Sequence, residues 1–334
     1  MSVERWSGAE ARTALASPDL DRRLGPLNGV AAVAVDLDDD PGDDIADALT
    51  RHPVVAIGLG TAAGPGWDVR TSDPTEVITG VELAPNAAVV ATQVLRGHAD
   101  RPVEAGLLLE SLAYATLQRG PEFLKWLEAR GRRVRSDDQE RVRVDEGDGN
   151  VRVVLDRPRL RNLDARMRDE LVDVLRALAF DDRPIRLEGA GPAFCGRRPG
   201  GVRHGRRPHN RPPHPHQRER RPFLVAVADC VTAVVHGACV GAGVELAAFC
   251  RHVVADPDTR FRLPETHMGL LPGAGGTVSI PARIGRHRTL EWLLTNREID
   301  AGTARAWASS TRSRVERRTE LGRTAYQQDA ATRR

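Results

Sequence analysis

The chain has 334 residues, 40% hydrophobic and 28% charged, a globular composition with length enough for two domains and a large core. Its net charge of +3 is local in origin: residues 196–222 carry +8 and residues 309–334 carry +4, which leaves −9 for an acidic body. The N-terminus has no apolar h-region, and Cys195, Cys230, Cys239 and Cys250 show no paired spacing, so a secretory signal and a disulfide framework are not expected.

In chain order, residues 1–148 read as one α/β unit. The runs at 29–37 (GVAAVAVDL) and 53–60 (PVVAIGLG) are of strand type, and 86–95 (NAAVVATQVL) can form a third strand. Residues 101–131 are helical with a break near Gly120–Pro121, and the acidic stretch 136–150 reads as a linker merging into a new strand. No catalytic constellation is legible in this half. Beyond it, 151–158 is a strand, 165–178 an amphipathic helix, and 183–195 a strand running into a turn. The long apolar run at 225–250 is interrupted by Asp229, His236, Glu245 and glycines, so it reads as strand, turn and helix rather than a membrane span. Glycine-rich turns leading into helices can aim backbone N–H groups at developing negative charge.

The segments HGACVGAGVELAAFC and FRLPETHMGLLPGAGGT, with LDRPRLRN and EGAGPAFC upstream, resemble the enoyl-CoA hydratase/isomerase (crotonase) superfamily over residues 149–307. The resemblance implies an α/β chain with a crotonase-like ββα spiral fold, preceded by the N-terminal α/β region. It implies an acyl-CoA substrate and no separate cofactor, coenzyme A being part of the substrate. It also implies a trimer-based homo-oligomer, which the unusual C-terminus puts in question. Carried over residue by residue, Glu245 and Glu265 are the catalytic carboxylates and Ala242 supplies one oxyanion-hole N–H. Cys195, Gly196, Ala238, Gly241, Pro264 and Gly273 line the substrate. Neither a metal nor a nucleic-acid partner nor membrane attachment is expected, and the cytoplasm is the expected location.

Adding water to a 2-enoyl thioester builds enolate charge on the carbonyl oxygen and needs one carboxylate as base and one carboxyl as acid. Having both Glu245 and Glu265 favours a hydratase, a lyase of fatty acid metabolism, because family members that only shift double bonds usually keep just the second. The alternatives are an isomerase, a thioester hydrolase or a catalytically degenerate acyl-CoA-binding protein. Outside such a motif a helical glutamate is ordinarily solvated. His236 and His267 read as structural, and the cysteines as small buried residues.

One stretch breaks the pattern. The family carries F-C-[AS]-G-G-D-L where this chain has FCGRRPGG, so Arg198 stands at the second oxyanion-hole position and Pro199 where an Asp belongs. An Arg-rich nucleic-acid arm or a His-rich metal tract lacks ordered spacing and interleaved aromatics here. The chain uses Arg almost to the exclusion of Lys (only Lys125), as GC-rich coding DNA would. Reading one nucleotide further along from Gly196 permits A-G-D-L-E-E-F-G-T-A-A-D-P-T-T-A-H-L-I-R, with the original frame resuming near Pro222–Phe223. Residues 196–221 therefore read as a frameshifted window, and 308–334 as an aberrant, disordered tail in place of the helices that close the family's site. Activity of this chain is expected to be impaired. Sequencing the coding DNA across 190–225 and 300–334 is expected to find compensating insertions or deletions. An undisturbed frame would instead favour the degenerate binding protein.

Overall fold

A computed structural model describes residues 2–37, 40, 42–130, 141–147, 149–156, 165–178, 183–196 and 230–309. Nearly all of the Arg-rich window and of the C-terminal tail, Arg198 included, lies outside them.

The N-terminal region is a four-stranded parallel sheet in the order β1 (Ser2–Ser7), β2 (Val30–Asp36), β3 (Val55–Leu59), β4 (Val69–Thr71). Both β2 and β3 are near-continuous apolar runs buried on both faces, the signature of central strands in a covered parallel sheet. Helices α1 (Gly8–Leu15), α2 (Leu20–Arg23) and α3 (Asp43–Leu49) contribute to a core that includes Trp67. Helix α1 starts at a capping box: Ser7 Oγ accepts from Glu10 N–H, and the Glu10 carboxylate accepts from Ser7 N–H at 2.7 Å. A second, larger core takes in α4 (Thr75–Leu83) and α5 (Pro85–Arg96) and continues into residues beyond 148. Helices α6 (Val103–Leu117) and α7 (Pro121–Arg130) follow, split at the expected glycine–proline break.

The stretch 86–95 is helix, not the third strand that its apolar run allows. Pro85 at the first helical position presets the backbone, and the alanines favour helix. Eight residues from Pro85 to Leu95 are buried because this helix is wedged inside the core. The acidic 136–150 stretch is likewise not all linker: β5 (Val142–Gly147) pairs antiparallel with β6 (Asn150–Leu155), its charges lying along an exposed edge.

From β6 the chain enters α8 (Ala165–Ala177) and then β7 (Ile185–Gly189). Strands β8 (Val231–Val235) and β10 (His252–Ala255) extend the same sheet in the order β10–β8–β7–β6–β5. A smaller sheet joins β9 (Ala238–Val240), β11 (Arg260–Arg262) and β12 (Ile299–Asp300). Helices α9 (Ala242–Phe249), α10 (Gly276–Ile284) and α11 (Arg286–Thr295) complete the named elements, and residues 301–309 are helical. The apolar run at 225–250 is thus, from residue 231 on, strand, turn and helix.

The two halves are fastened by a buried charge cluster. Asp68 is fully buried and its carboxylate accepts from Arg96 at 2.6 and 3.0 Å, from Ala56 N–H at 2.9 Å and from Arg286 at 3.4 Å. Arg96 spends its remaining donors on the carbonyls of Thr50, His52 and Val54. Gly80 completes the docking, because a Cβ there would collide with the carbonyl of Leu294 at the end of α11. Removing one partner of a buried, hydrogen-bonded pair typically costs several kcal/mol. Arg96→Ala is therefore expected to lower the unfolding free energy by roughly 3 kcal/mol in urea titration. A loss as small as that of a surface pair would contradict the assignment.

Candidate active site

The site begins where β9 ends. Gly241 adopts φ +57° and ψ −121°, a turn open to glycine, and donates its N–H to the carbonyl of Arg262 at 2.9 Å. Ala242 and Gly243 then open α9, whose first intrahelical bond runs from Val244 N–H back to the Gly241 carbonyl. First-turn N–H groups of a helix have no carbonyl partner within it. Ala242 is half-buried between buried neighbours, so the expected oxyanion donor stands at the start of a helix.

Glu245 sits one turn into α9 and is 2% exposed. Its Oε2 accepts from the N–H groups of Ala274 and Gly276 at 2.6 and 2.8 Å, tying α9 to the turn before α10. Gly276 is required there: a Cβ would lie 2.6 Å from Glu245 Cγ. Glu265 comes from the other side, in the turn after β11, and is 8% exposed. A Cβ on Gly241 would stand 2.5 Å from Glu265 Oε1, so this carboxyl lies against the turn that opens α9. Glu265 Oε2 is buried with no hydrogen-bond partner among the described residues.

Burial raises the Glu245 carboxyl well above the ordinary glutamate range. The charges of Glu265 and then Glu110 push it the same way, against the pull of the Ala274 and Gly276 amides. Burial also raises Glu265, to about 7, with a smaller upward push from Glu110. The site thus holds two carboxyls in unlike surroundings, one fixed by amides and one with an oxygen that has no partner among the described residues.

The remaining expected residues fall around this pair. Cys195 is buried, and its backbone pairs in strand fashion beside Cys239, its N–H donating to the Ala238 carbonyl and its carbonyl accepting from Val240 N–H; both thiols are free. Gly196 has φ +116° and lies against Val240. Gly243 packs on Cys195, whose Cβ would be 2.6 Å from a Cβ added there. Pro264 precedes Glu265 in the same turn, and Gly273 is half-buried against the ring of Tyr114. His236 bonds the Gly191 carbonyl and His267 the Leu294 carbonyl, each at 2.8 Å, as structural histidines. Cys195, Cys239 and Cys250 are buried, but Cys230 is exposed, against expectation, because it sits just ahead of β8.

The sequence reading missed Glu110. It lies on α6, in the half where no catalytic group was legible, yet it is fully buried against the same turn as Glu245. Its Oε1 accepts from Gly275 N–H at 2.8 Å, and its Oε2 accepts from the N–H and hydroxyl of Thr277 at 2.9 and 2.8 Å. The signal was a single glutamate facing the same way as Leu107 and Leu117 on an otherwise apolar helix side.

The arrangement is a glycine turn at a helix start with one buried glutamate against it and a second one turn into the helix. Residues 146–308 match the enoyl-CoA hydratase/isomerase family model, that of the crotonase superfamily. Among solved structures, an enoyl-CoA hydratase from Thermoplasma volcanium GSS1 is 22% identical, with a TM-score of 0.41 over 50% of this chain and 69% of its own. A monofunctional enoyl-CoA isomerase from M. smegmatis is 26% identical, with a TM-score of 0.40 over 51% and 75%. A Thermobifida fusca YX protein in complex with CoA is 24% identical, with a TM-score of 0.43 over 55% and 72%.

A glutamate whose folded-state pKa is raised favours the fold while protonated and loses that contribution as pH rises through the folded value. For Glu265 the window runs from the ordinary 4.5 to about 7. Glu265→Gln removes the titration, so its unfolding free energy relative to the parent is expected to rise by roughly 3 kcal/mol between about pH 4 and pH 8. A pH-independent difference in chemical denaturation would contradict this.

Proposed function

We propose that this chain binds a coenzyme A thioester and adds water across the double bond of a 2-enoyl-CoA. The observation that carries the reading is a pair of buried, interacting glutamates at one helix start: Glu265 lies against the Gly241 turn, and Glu245 stands one turn into the helix that this turn opens. The thioester oxygen would approach the Ala242 N–H, where the helix start favours the enolate charge. Glu265, raised to about 7 and with one oxygen unpartnered among the described residues, is poised near neutral pH to exchange a proton. Glu245, held by two amides, is fixed in place as the second proton-transfer group. The pair then divides the work: one takes the proton of the attacking water and the other delivers a proton to the α-carbon. The second oxyanion donor would come from the loop around Arg198, which is outside the described residues.

A double-bond isomerase is the second reading, and one observation favours it. Glu245 Oε2 is occupied by two N–H groups, whereas Glu265 Oε2 has no hydrogen-bond partner among the described residues. An isomerase needs only one group to carry a proton between carbons.

Single substitutions separate the two. For a hydratase, Glu245→Gln and Glu265→Gln should each lower kcat on a 2-enoyl-CoA by about 10²–10⁴-fold, the usual worth of a positioned acid or base. Loss with Glu265→Gln alone, together with interconversion of 2- and 3-enoyl-CoA, would transfer the assignment to isomerase.

A further inference from the structure

We propose that Glu110 is a positioning residue of this site: from a helix outside the family-matching segment it grips the N–H groups of Gly275 and Thr277, in alternation with the grip of Glu245 on Ala274 and Gly276, and so sets the place and the charge of the Glu245 carboxylate. The inference deepens the proposed reading of the site and rests on it for its kinetic consequence alone.

The geometry is unusual for a helix start. Four successive amides, 274 to 277, go alternately to two different carboxylates, one from α9 and one from α6. A capping side chain satisfies one of the orphan N–H groups of a helix start, and one negative charge already complements its dipole. A second carboxylate buried there, with Glu265 nearby as a third, adds like-charge repulsion and desolvation that capping alone does not require. Both oxygens of Glu110 accept a backbone N–H, Oε1 from Gly275 and Oε2 from Thr277, whose hydroxyl also reaches Oε2.

The rest of α6 is shaped to hold Glu110 against this turn. A Cβ on Gly106 would come within 2.8 Å of Val278, Leu107 lies beside Gly275, and the Tyr114 ring covers Gly273. Glu122 at the start of α7 abuts Gly269 while it caps α5 through Asn86 and Ala87. The N-terminal helices therefore line the whole 269–278 stretch that carries the turn. The charged side chains that face Glu110 across it are Glu245 and Glu265. On α10 the one charged residue, Arg283, is turned to the carbonyls of Ala248 and Cys250, and on α5 the one charged residue, Arg96, is engaged by Asp68.

An amide proton bonded to a carboxylate reports that carboxylate's titration. Backbone resonances of 274 and 276 therefore read Glu245, and those of 275 and 277 read Glu110, in the full chain and without substrate. In the parent protein each pair is expected to show inflections shared with the other. In Glu110→Gln, which removes one negative charge at nearly constant shape, the 274 and 276 titration should move down by about one pH unit. Glu110→Asp keeps the charge and should leave that titration near its parent position. Where a 2-enoyl-CoA is turned over, the acid limb of kcat should move down with the amides in Glu110→Gln. A titration of 274 and 276 that Glu110→Gln leaves unmoved would reduce Glu110 to a structural cap. If that variant does not fold, independent single-step titrations of the two amide pairs in the parent overturn the proposal just as directly. Amide shifts as expected without turnover would leave Glu110's role standing and remove only the reaction.

Discussion

Two buried carboxylates sharing the four amides ahead of α10 are the constraint around which this molecule is arranged. Burying one ionisable group costs several kcal/mol unless it is hydrogen-bonded, and burying three together is tolerated only where donors are abundant. The 274–277 turn provides them: its N–H groups, with the Thr277 hydroxyl, satisfy Glu110 and Glu245. Among the described residues, Glu265 has one oxygen without a partner. The glycines at 241 and 276 follow from this, because a side chain at either position would occupy the space of a carboxylate.

The same constraint links the two parts of the chain. Helix α6 has to lie on α10 for Glu110 to reach its donors, and α4 and α5 have to lie on α11 to hold α6 there. The Asp68–Arg96–Arg286 cluster and the close approach at Gly80 fasten those contacts. His287 packs beside Asp68, and burial together with Arg286 lowers it to about 4, so it adds no further charge to this cluster near neutral pH. The N-terminal helices are thereby part of the wall of a site whose motif lies wholly in the second half.

Glu245 and Glu265 were legible in the sequence because each sits in a short glycine- or proline-marked motif whose order along the chain carries the family resemblance. The strands at 30–36 and 55–59 were legible because parallel strands covered on both faces are apolar throughout. The helix at 85–96 was not, because a helix buried on most sides is apolar throughout as well, and period alone does not separate the two. Glu110 was hidden for a different reason. Its partners are backbone amides 165 and 167 residues further along, which leave no trace in side-chain pattern. A lone glutamate on a helix reads as solvated until the fold brings those amides to it.

Proton transfer to and from a coenzyme A thioester is the proposed work of this arrangement, and incubating the full chain with a 2-enoyl-CoA in deuterium oxide, followed by proton NMR, reads it out. Slow formation of the 3-hydroxyacyl thioester with a single deuterium at the α-carbon is expected, above the protein-free rate. A thioester that remains unhydrated and undeuterated at that background rate would contradict it.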